Sequence, residues 1–178
     1  MKVHEEHKHK AKKIIRLALI VVSTSRFNEK QNGKVISDKT IPIVNEIISN
    51  NESVLISFTD IVSDSAKQIK KILYKLTEDS SIDAIIFSGG TGITPKDITF
   101  DTIKPLLEKE ITGFGELFRF LSYEEVGASA MLSRATAGKI GNKAVFLLPG
   151  SPNAVKLALN KLILPEIGHI TYMINKEE

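Results

Sequence analysis

The chain contains no cysteine. Disulfide bridges, thiolate nucleophiles and Cys-ligated metals are therefore excluded together, and the composition fits a reducing compartment. Histidine is scarce: His4, His7 and His9 crowd the start, and only His169 lies elsewhere. A Ser-His-Asp mechanism has almost nothing to work with. The spacing His4-Glu-Glu-His7 is one residue short of the zinc motif His-Glu-x-x-His, and no apolar stripe supports it. No run of about 18 apolar residues is present for a membrane span. Leu17–Val22 is too short for a secretory core segment and reads as a buried strand, so a cytoplasmic protein with no membrane partner is expected. There is no internal repeat and no low-complexity linker.

Hydrophobic content of 42% and charged content of 25% over 178 residues suit one α/β core. The net charge of +3 is a property of one end. Residues 1–16 hold six Lys/Arg against two Glu, which leaves about −1 for the remainder. Residues 1–13 are read as a basic, solvated, disordered arm, not as a nucleic-acid contact. The body of the chain then starts at residue 14.

Residues 14–22 form a continuous apolar run, as expected of a strand covered on both faces. A polar loop, Ser23–Gly33, follows. A helix is expected over Lys34–Ser49, with Pro42 bending it or delaying its start. Glu52–Thr59 reads as a second strand, and Asp64 as the N-cap of a helix over Ser65–Thr77. Ala84–Ser88 is a third strand. Helices over 99–109 and 114–124 come next, then strands Ala135–Ile140 and Lys143–Leu148 joined at Gly141-Asn142. A last helix runs from Pro152 to Ile167, interrupted near Pro165. This order predicts a three-layer, doubly wound, mostly parallel α/β sheet with helices on both faces. Ligands in such folds bind beyond the carboxyl ends of the strands. The loops Ser23–Gly33, Asp60–Asp64, Ser88–Thr99 and Leu148–Pro152 qualify.

The most informative stretch is 87–101, Phe-Ser-Gly-Gly-Thr-Gly-Ile-Thr-Pro-Lys-Asp-Ile-Thr-Phe-Asp. Glycines at the exit of a strand let backbone N–H groups approach an anion. Carboxylates just beyond can hold a hard cation such as Mg²⁺. The loop is neither a Walker A motif nor a dinucleotide fingerprint, because Gly-Lys-Ser/Thr is missing and Pro95 stands where a third glycine belongs. Asp64, Asp97 and Asp101 read equally well as helix caps.

The segment Gly89-Gly-Thr-Gly-Ile-Thr-Pro-Lys-Asp97-Ile-Thr resembles the signature of the MoaB/MogA family of molybdenum cofactor biosynthesis proteins. So do Gly113-Phe-Gly-Glu116-Leu-Phe-Arg119, Leu132-Ser-Arg134-Ala and Leu148-Pro-Gly-Ser151, in the family's order and at its intervals. The resemblance covers residues 14–168 and implies a molybdopterin-binding α/β domain over 14–178 that assembles as a homotrimer or higher oligomer. Other proteins of the pathway are possible partners. The implied activity is Mg²⁺-dependent adenylyl transfer: ATP and molybdopterin give adenylyl-molybdopterin and pyrophosphate. By match to the family motif, Asp64 and Asp97 are the catalytic and Mg²⁺-holding positions, and Asp101 is a further acidic one.

The resemblance also assigns binding roles. The Gly89, Gly90, Thr91 and Gly92 amides and the Ser23-Thr24-Ser25 hydroxyls would donate to phosphate or pterin oxygens. Arg26, Ser133 and Arg134 would position molybdopterin, an ordinary surface contact being the other reading of the last two. Glu116 would line the pocket or cap its helix, and Gly150 with Ser151 reads as another anion cradle or as a helix start. Where adenylylating bacterial members often carry basic residues before the aspartate, only Lys96 keeps that charge. The alternative is a non-catalytic molybdopterin carrier or scaffold of the same pathway. Because adenylylation precedes metal insertion, molybdenum and tungsten pathways share this step.

Overall fold

The computed structural model describes residues 14–176. The basic arm, with His4, His7 and His9, lies outside the described residues. Strand β1 (Ile15–Val22) is the apolar run expected from the sequence, and it is hydrogen-bonded on both sides. The chain continues through α1 (Thr24–Gln31), α2 (Thr40–Ser49), β2 (Val54–Val62), α3 (Ala66–Glu78) and β3 (Ala84–Ser88). Next come α4 (Thr99–Ile103), a 3₁₀ turn (Lys104–Leu106), β4 (Lys109–Glu110), α5 (Thr112–Val126) and a second 3₁₀ segment (Gly127–Leu132). The hairpin β5 (Thr136–Ile140) and β6 (Lys143–Leu148) precedes a long terminal helix, built from α6 (Pro152–Ala158), a π turn (Leu159–Ile163) and α7 (Leu164–Asn175).

The six strands lie in the order β2-β1-β3-β6-β5-β4. β2, β1, β3 and β6 are mutually parallel, whereas β5 runs against β6 and β4 against β5. Side chains alternate across each buried strand, as the two-residue period requires. Leu17, Leu19, Ala84, Ile86, Ala144, Phe146 and Leu148 face the layer of α2, α5, α6 and α7. Ala18, Ile20, Val22, Ile85, Phe87, Val145 and Leu147 face α3 and α4. The fold is the doubly wound three-layer sandwich expected from the sequence. The helix after β1 that packs on the sheet, α2, covers one face, and the helix after β3 covers the other. The crevice of the fold therefore opens between the ends of β1 and β3.

Several local expectations fail for identifiable reasons. Ser23–Gly33 is not a loop: Thr24–Gln31 is helical, with the Ser23 hydroxyl accepting from the Arg26 amide at 3.5 Å. No residue of α1 is buried, so it leaves no apolar period to read. The helix expected from Lys34 starts at Thr40, which puts Pro42 in the first turn, where its missing N–H costs nothing. The Asp38 carboxylate caps that start by accepting the Ile41 amide at 2.7 Å. The helix expected to 109 ends at Ile103, and Pro105 sits in the 3₁₀ turn that leads into β4. The last helix is interrupted just before Pro165, as expected, by the π turn, which absorbs the hydrogen bond lost at the proline, but it runs past the expected end at Ile167 to Asn175. At the Gly141-Asn142 turn only Gly141 has positive φ, the pattern of a type II′ hairpin.

Phe146 is fully buried on β6 and meets Phe114 of α5 edge-to-face at 5.4 Å. Phe146→Ala should cost about 3–5 kcal/mol, the range for emptying a buried aromatic site. Urea unfolding of the two proteins checks this, and a loss below about 1 kcal/mol would contradict the packing described.

Candidate functional site

The floor of the crevice is a turn that only glycine can make. Gly89 has φ +112°, and a Cβ there would lie 2.3 Å from the Val22 carbonyl oxygen. Its N–H donates to Leu148 O at 2.9 Å, and a Cβ on Gly150 would lie 3.3 Å from the Gly89 Cα. The ends of β1, β3 and β6 thus meet backbone to backbone. Gly90, φ +67°, turns the chain sideways, and its carbonyl accepts the Thr99 amide at 2.9 Å. The loop 91–98 is carried out over the crevice as a result.

On one side of this loop lies a hollow of about 520 Å³, lined by Ser23, Thr24, Ser25, Asp64, Pro95, Lys96 and Ile98. Asp64 does not cap the helix that follows it, since α3 begins at Ala66 with no side-chain cap. Its Oδ2 accepts the Thr24 amide at 2.7 Å and the Thr24 hydroxyl at 2.8 Å, and its own amide donates to Thr24 Oγ1 at 3.1 Å. A carboxylate is thereby pinned at the N-terminus of α1, facing the hollow. Ser23 and Ser25 hydroxyls lie 3.1 Å apart beside it.

Asp97 is held by a similar device. Its Oδ2 accepts the Thr94 amide at 2.9 Å and the Thr94 hydroxyl at 2.7 Å. The carboxylate is folded back under Gly92, where a Cβ would stand 2.8 Å from Oδ2. It is not part of the lining of the hollow, although Pro95, Lys96 and Ile98 on either side of it are.

Beyond Arg134, which is bonded to this loop, is a second hollow of about 430 Å³, whose wall includes Phe100, Gly115, Glu116, Arg119, Ser133 and Arg134. Arg134 faces the loop. Its Nε donates to Gly92 O at 2.8 Å, Nη2 to Asp97 O at 2.8 Å and Nη1 to Asp101 Oδ1 at 2.7 Å. Arg119 Nη1 in turn reaches the carbonyls of Ser133, at 3.4 Å, and Ala135, at 3.2 Å. That approach requires Gly115, where a Cβ would lie 2.5 Å from Ala135 O.

A model of a family described as "probable molybdopterin binding domain" matches residues 18–169. The chain is 42% identical over 173 residues to molybdenum cofactor biosynthesis protein B of Bacillus cereus, covering 97% of this chain and 98% of that protein. The chain belongs to the MoaB/MogA family of molybdenum cofactor biosynthesis proteins. Solved structures agree. A crystal structure of a molybdenum cofactor biosynthesis protein B superposes with a TM-score of 0.83 at 41% identity, covering 93% of this chain and 98% of that one. The tungsten cofactor synthesizing protein MoaB of Pyrococcus furiosus does so at 0.79 and 38%, covering 93% and 100%.

Against this MoaB/MogA frame, the residues singled out in the sequence fall into groups. Ser23, Ser25 and Asp64 line the first hollow, and Glu116, Ser133 and Arg134 the second. Gly89–Gly92 and Asp97 belong to the partition, and Asp101 is tied to it through Arg134. Arg26 pairs instead with Asp38 at 3.6 Å, and neither residue lines the first hollow. Gly150 lies under Gly89, and Ser151 is exposed at the start of α6, outside the lining of both hollows. Thr94, Phe100 and Arg119 take part without having been singled out. For Thr94 a threonine three residues before an aspartate is a readable signal; for Arg119 the clue is a glycine four residues earlier on one helix. Among the described residues no three His, Asp or Glu side chains gather as a metal site. A built-in metal cage is thus not a feature of these residues, whereas a cation arriving with phosphates needs only one or two carboxylates.

Burial would raise the Asp97 carboxyl pKa, but the Thr94 hydroxyl and amide, the Gly92 amide and the Arg134 charge outweigh it, leaving it below the ordinary 3.8. A depressed pKa means that the ionised form stabilises the fold above the unfolded pKa, and that this is lost as pH falls through the lower folded value. Wild type should therefore lose stability more steeply than Asp97→Asn between about pH 4 and pH 2. Parallel acid limbs in urea unfolding would contradict this.

Proposed function

We propose that this member of a molybdenum cofactor biosynthesis family transfers an adenylyl group from ATP to molybdopterin. The observation that carries the proposal is the pair of hollows joined by one partition, the glycine loop lining the first and Arg134, hydrogen-bonded to that loop, lining the second. Two substrates that must react need two adjoining sites with the reacting phosphates brought together between them. The first hollow offers three hydroxyls, a lysine and a carboxylate, a donor set suited to a polyphosphate with its cation. The second offers the Glu116 carboxylate, the Arg119 guanidinium and the Ser133 hydroxyl, suited to the polar edges of a pterin. Both volumes are in the range of small-molecule sites, ~300–1,000 Å³.

In the reaction an oxygen of the terminal phosphate of molybdopterin attacks the α-phosphorus of ATP. A new P–O bond forms, and the bond to the leaving pyrophosphate breaks. Anions repel one another, so positioning and charge neutralisation dominate the barrier. Lys96 and the Ser23, Thr24 and Ser25 hydroxyls would orient the triphosphate. Glu116 and Ser133 would orient the pterin. Asp64 and Asp97 would hold a Mg²⁺ ion, which supplies neutralisation of charge on the phosphates.

Purified protein with ATP, Mg²⁺ and molybdopterin should release pyrophosphate. Asp97→Ala should lower turnover by about 100-fold or more while keeping most pterin affinity. Equal turnover in the two proteins would remove the catalytic assignment, and no pyrophosphate from wild type would favour the carrier reading.

We also propose that the protein works as a homotrimer or higher oligomer. α5 exposes Leu117, Phe120, Tyr123 and Val126 at three-residue spacing, and Met131 and Leu132 extend the strip. Phe120 is 65% exposed and Met131 72%, more apolar surface than a lone helix face normally leaves in water. Phe120→Glu should shift the mass seen by light scattering to that of one chain. An unchanged assembly would place the interface elsewhere.

A further inference from the structure

Arg134 carries a pattern of contacts that a substrate ligand would not need. Its guanidinium has five N–H donors, and three are committed to Gly92 O, Asp97 O and Asp101 Oδ1 at 2.7–2.8 Å. Its backbone N–H adds a fourth bond, to Thr91 O at 3.0 Å. The guanidinium carbon sits over the Phe100 ring, 4.7 Å from its centre. The two carbonyls it grips stand at the two ends of the segment 92–97. Between them, Pro95 and Lys96 turn outward into the first hollow, whereas Arg134 itself lines the second. Arg119 holds the carbonyls on both sides of Arg134, so the brace is itself anchored to α5.

We infer that Arg134 is a positioning residue, a strut that fixes the 91–98 partition from the side of the second hollow, and not a direct ligand of substrate. This rests on the adenylyl-transfer reading for its kinetic consequence, but its physical content does not depend on that reading. A fork that binds two carbonyls fixes both the separation of the loop ends and the plane between them. A lysine can reach two carbonyls, as Lys143 does with those of Asp79 and Ile82, but from one nitrogen and with no plane to set their separation and orientation. With the loop ends fixed, the Thr94–Asp97 turn and the Lys96 side chain stay at the edge of the first hollow. A ligand that presses on Arg134 or Phe100 from the second hollow is thereby felt by the groups facing the first. The two substrate positions are mechanically joined through one side chain.

Hydrogen exchange on the full chain tests the strut directly. The amides of Asp97, Ile98 and Thr99 are bonded within the loop, to Thr94 O, Lys96 O and Gly90 O at 2.9–3.0 Å. In Arg134→Lys and Arg134→Ala these amides should exchange at least about 10-fold faster, while those of β1 and β3 keep their wild-type rates. Arg134→Lys keeps the charge and the bulk, so it serves if the alanine variant does not fold. In pyrophosphate release, kcat should fall about 100-fold with the KM for molybdopterin within about threefold, and guanidinium ion should restore part of the loss in Arg134→Ala. Unaltered loop exchange in both variants overturns the inference. So does a rise of about 10-fold or more in the KM for molybdopterin with kcat unchanged, which is the mark of a ligand. A wild type that releases no pyrophosphate would sink the adenylyl-transfer reading alone, because the exchange comparison still decides the role of Arg134.

Discussion

The ligand-facing edge of the sheet depends on one close approach: the backbone of Gly89 passing the carbonyl of Val22 with no side chain between them. A Cβ at 2.3 Å from that oxygen cannot be accommodated by rotating anything, because both partners are backbone. β1 and β3 are the neighbouring parallel strands at which the winding reverses, so the end of one must cross close to the end of the other. The positive φ at Gly89 and Gly90 then turns the chain away from the sheet, and Gly150 lets the end of β6 close in from the other side. Everything downstream, from the partition to the two hollows, takes its position from this crossing. Substituting Gly89 would damage the site and the strand ends together, which makes it an unsuitable probe of chemistry alone.

The second constraint acts over a longer range. The segment 133–135 lies against α5 only because Gly115 leaves room for the Ala135 carbonyl, and Arg119, one turn further on, then binds the carbonyls flanking Arg134. Two of the family's motifs, Gly113–Arg119 and Leu132–Ala135, are therefore parts of one brace. Their shared role accounts for both being present in this chain, although neither is near the glycine loop in sequence.

What could be read from the sequence follows from how local each cause is. β1, β3 and β6 are runs of apolar residues buried on both faces, and such runs are visible in any window of the chain. So is the four-residue apolar stripe of α3, whose Ile69, Ile72, Leu73 and Leu76 are all buried. α1 was invisible because none of its residues is buried, and β4 because Lys109 and Glu110 are exposed and are strand only by pairing with β5. The crevice itself was legible, since chain order alone puts the loops after parallel strands on one edge. Its division into two hollows was not. That division is made by an arginine binding carbonyls 37 and 42 residues away, and carbonyls carry no sequence signal.

The three aspartates of the region show how the same carboxylate is put to different uses. Asp101 is exposed and paired with a guanidinium at 2.7 Å, so its charge is largely answered within the protein. Asp64 and Asp97 are held instead by threonine, each through one amide and one hydroxyl falling on a single oxygen. Neutral donors fix the orientation of a carboxylate without cancelling its charge. A pairing arginine would fix it too, but would leave little attraction for a cation. Of the three, these two are oriented by neutral donors, but only Asp64 lies in the lining of the first hollow, whereas Asp97 is folded under Gly92 with the Arg134 charge nearby. They stand on the loops after β2 and β3, at the edge where the winding reverses. Holding a carboxylate still leaves less to reorganise when a charged ligand arrives.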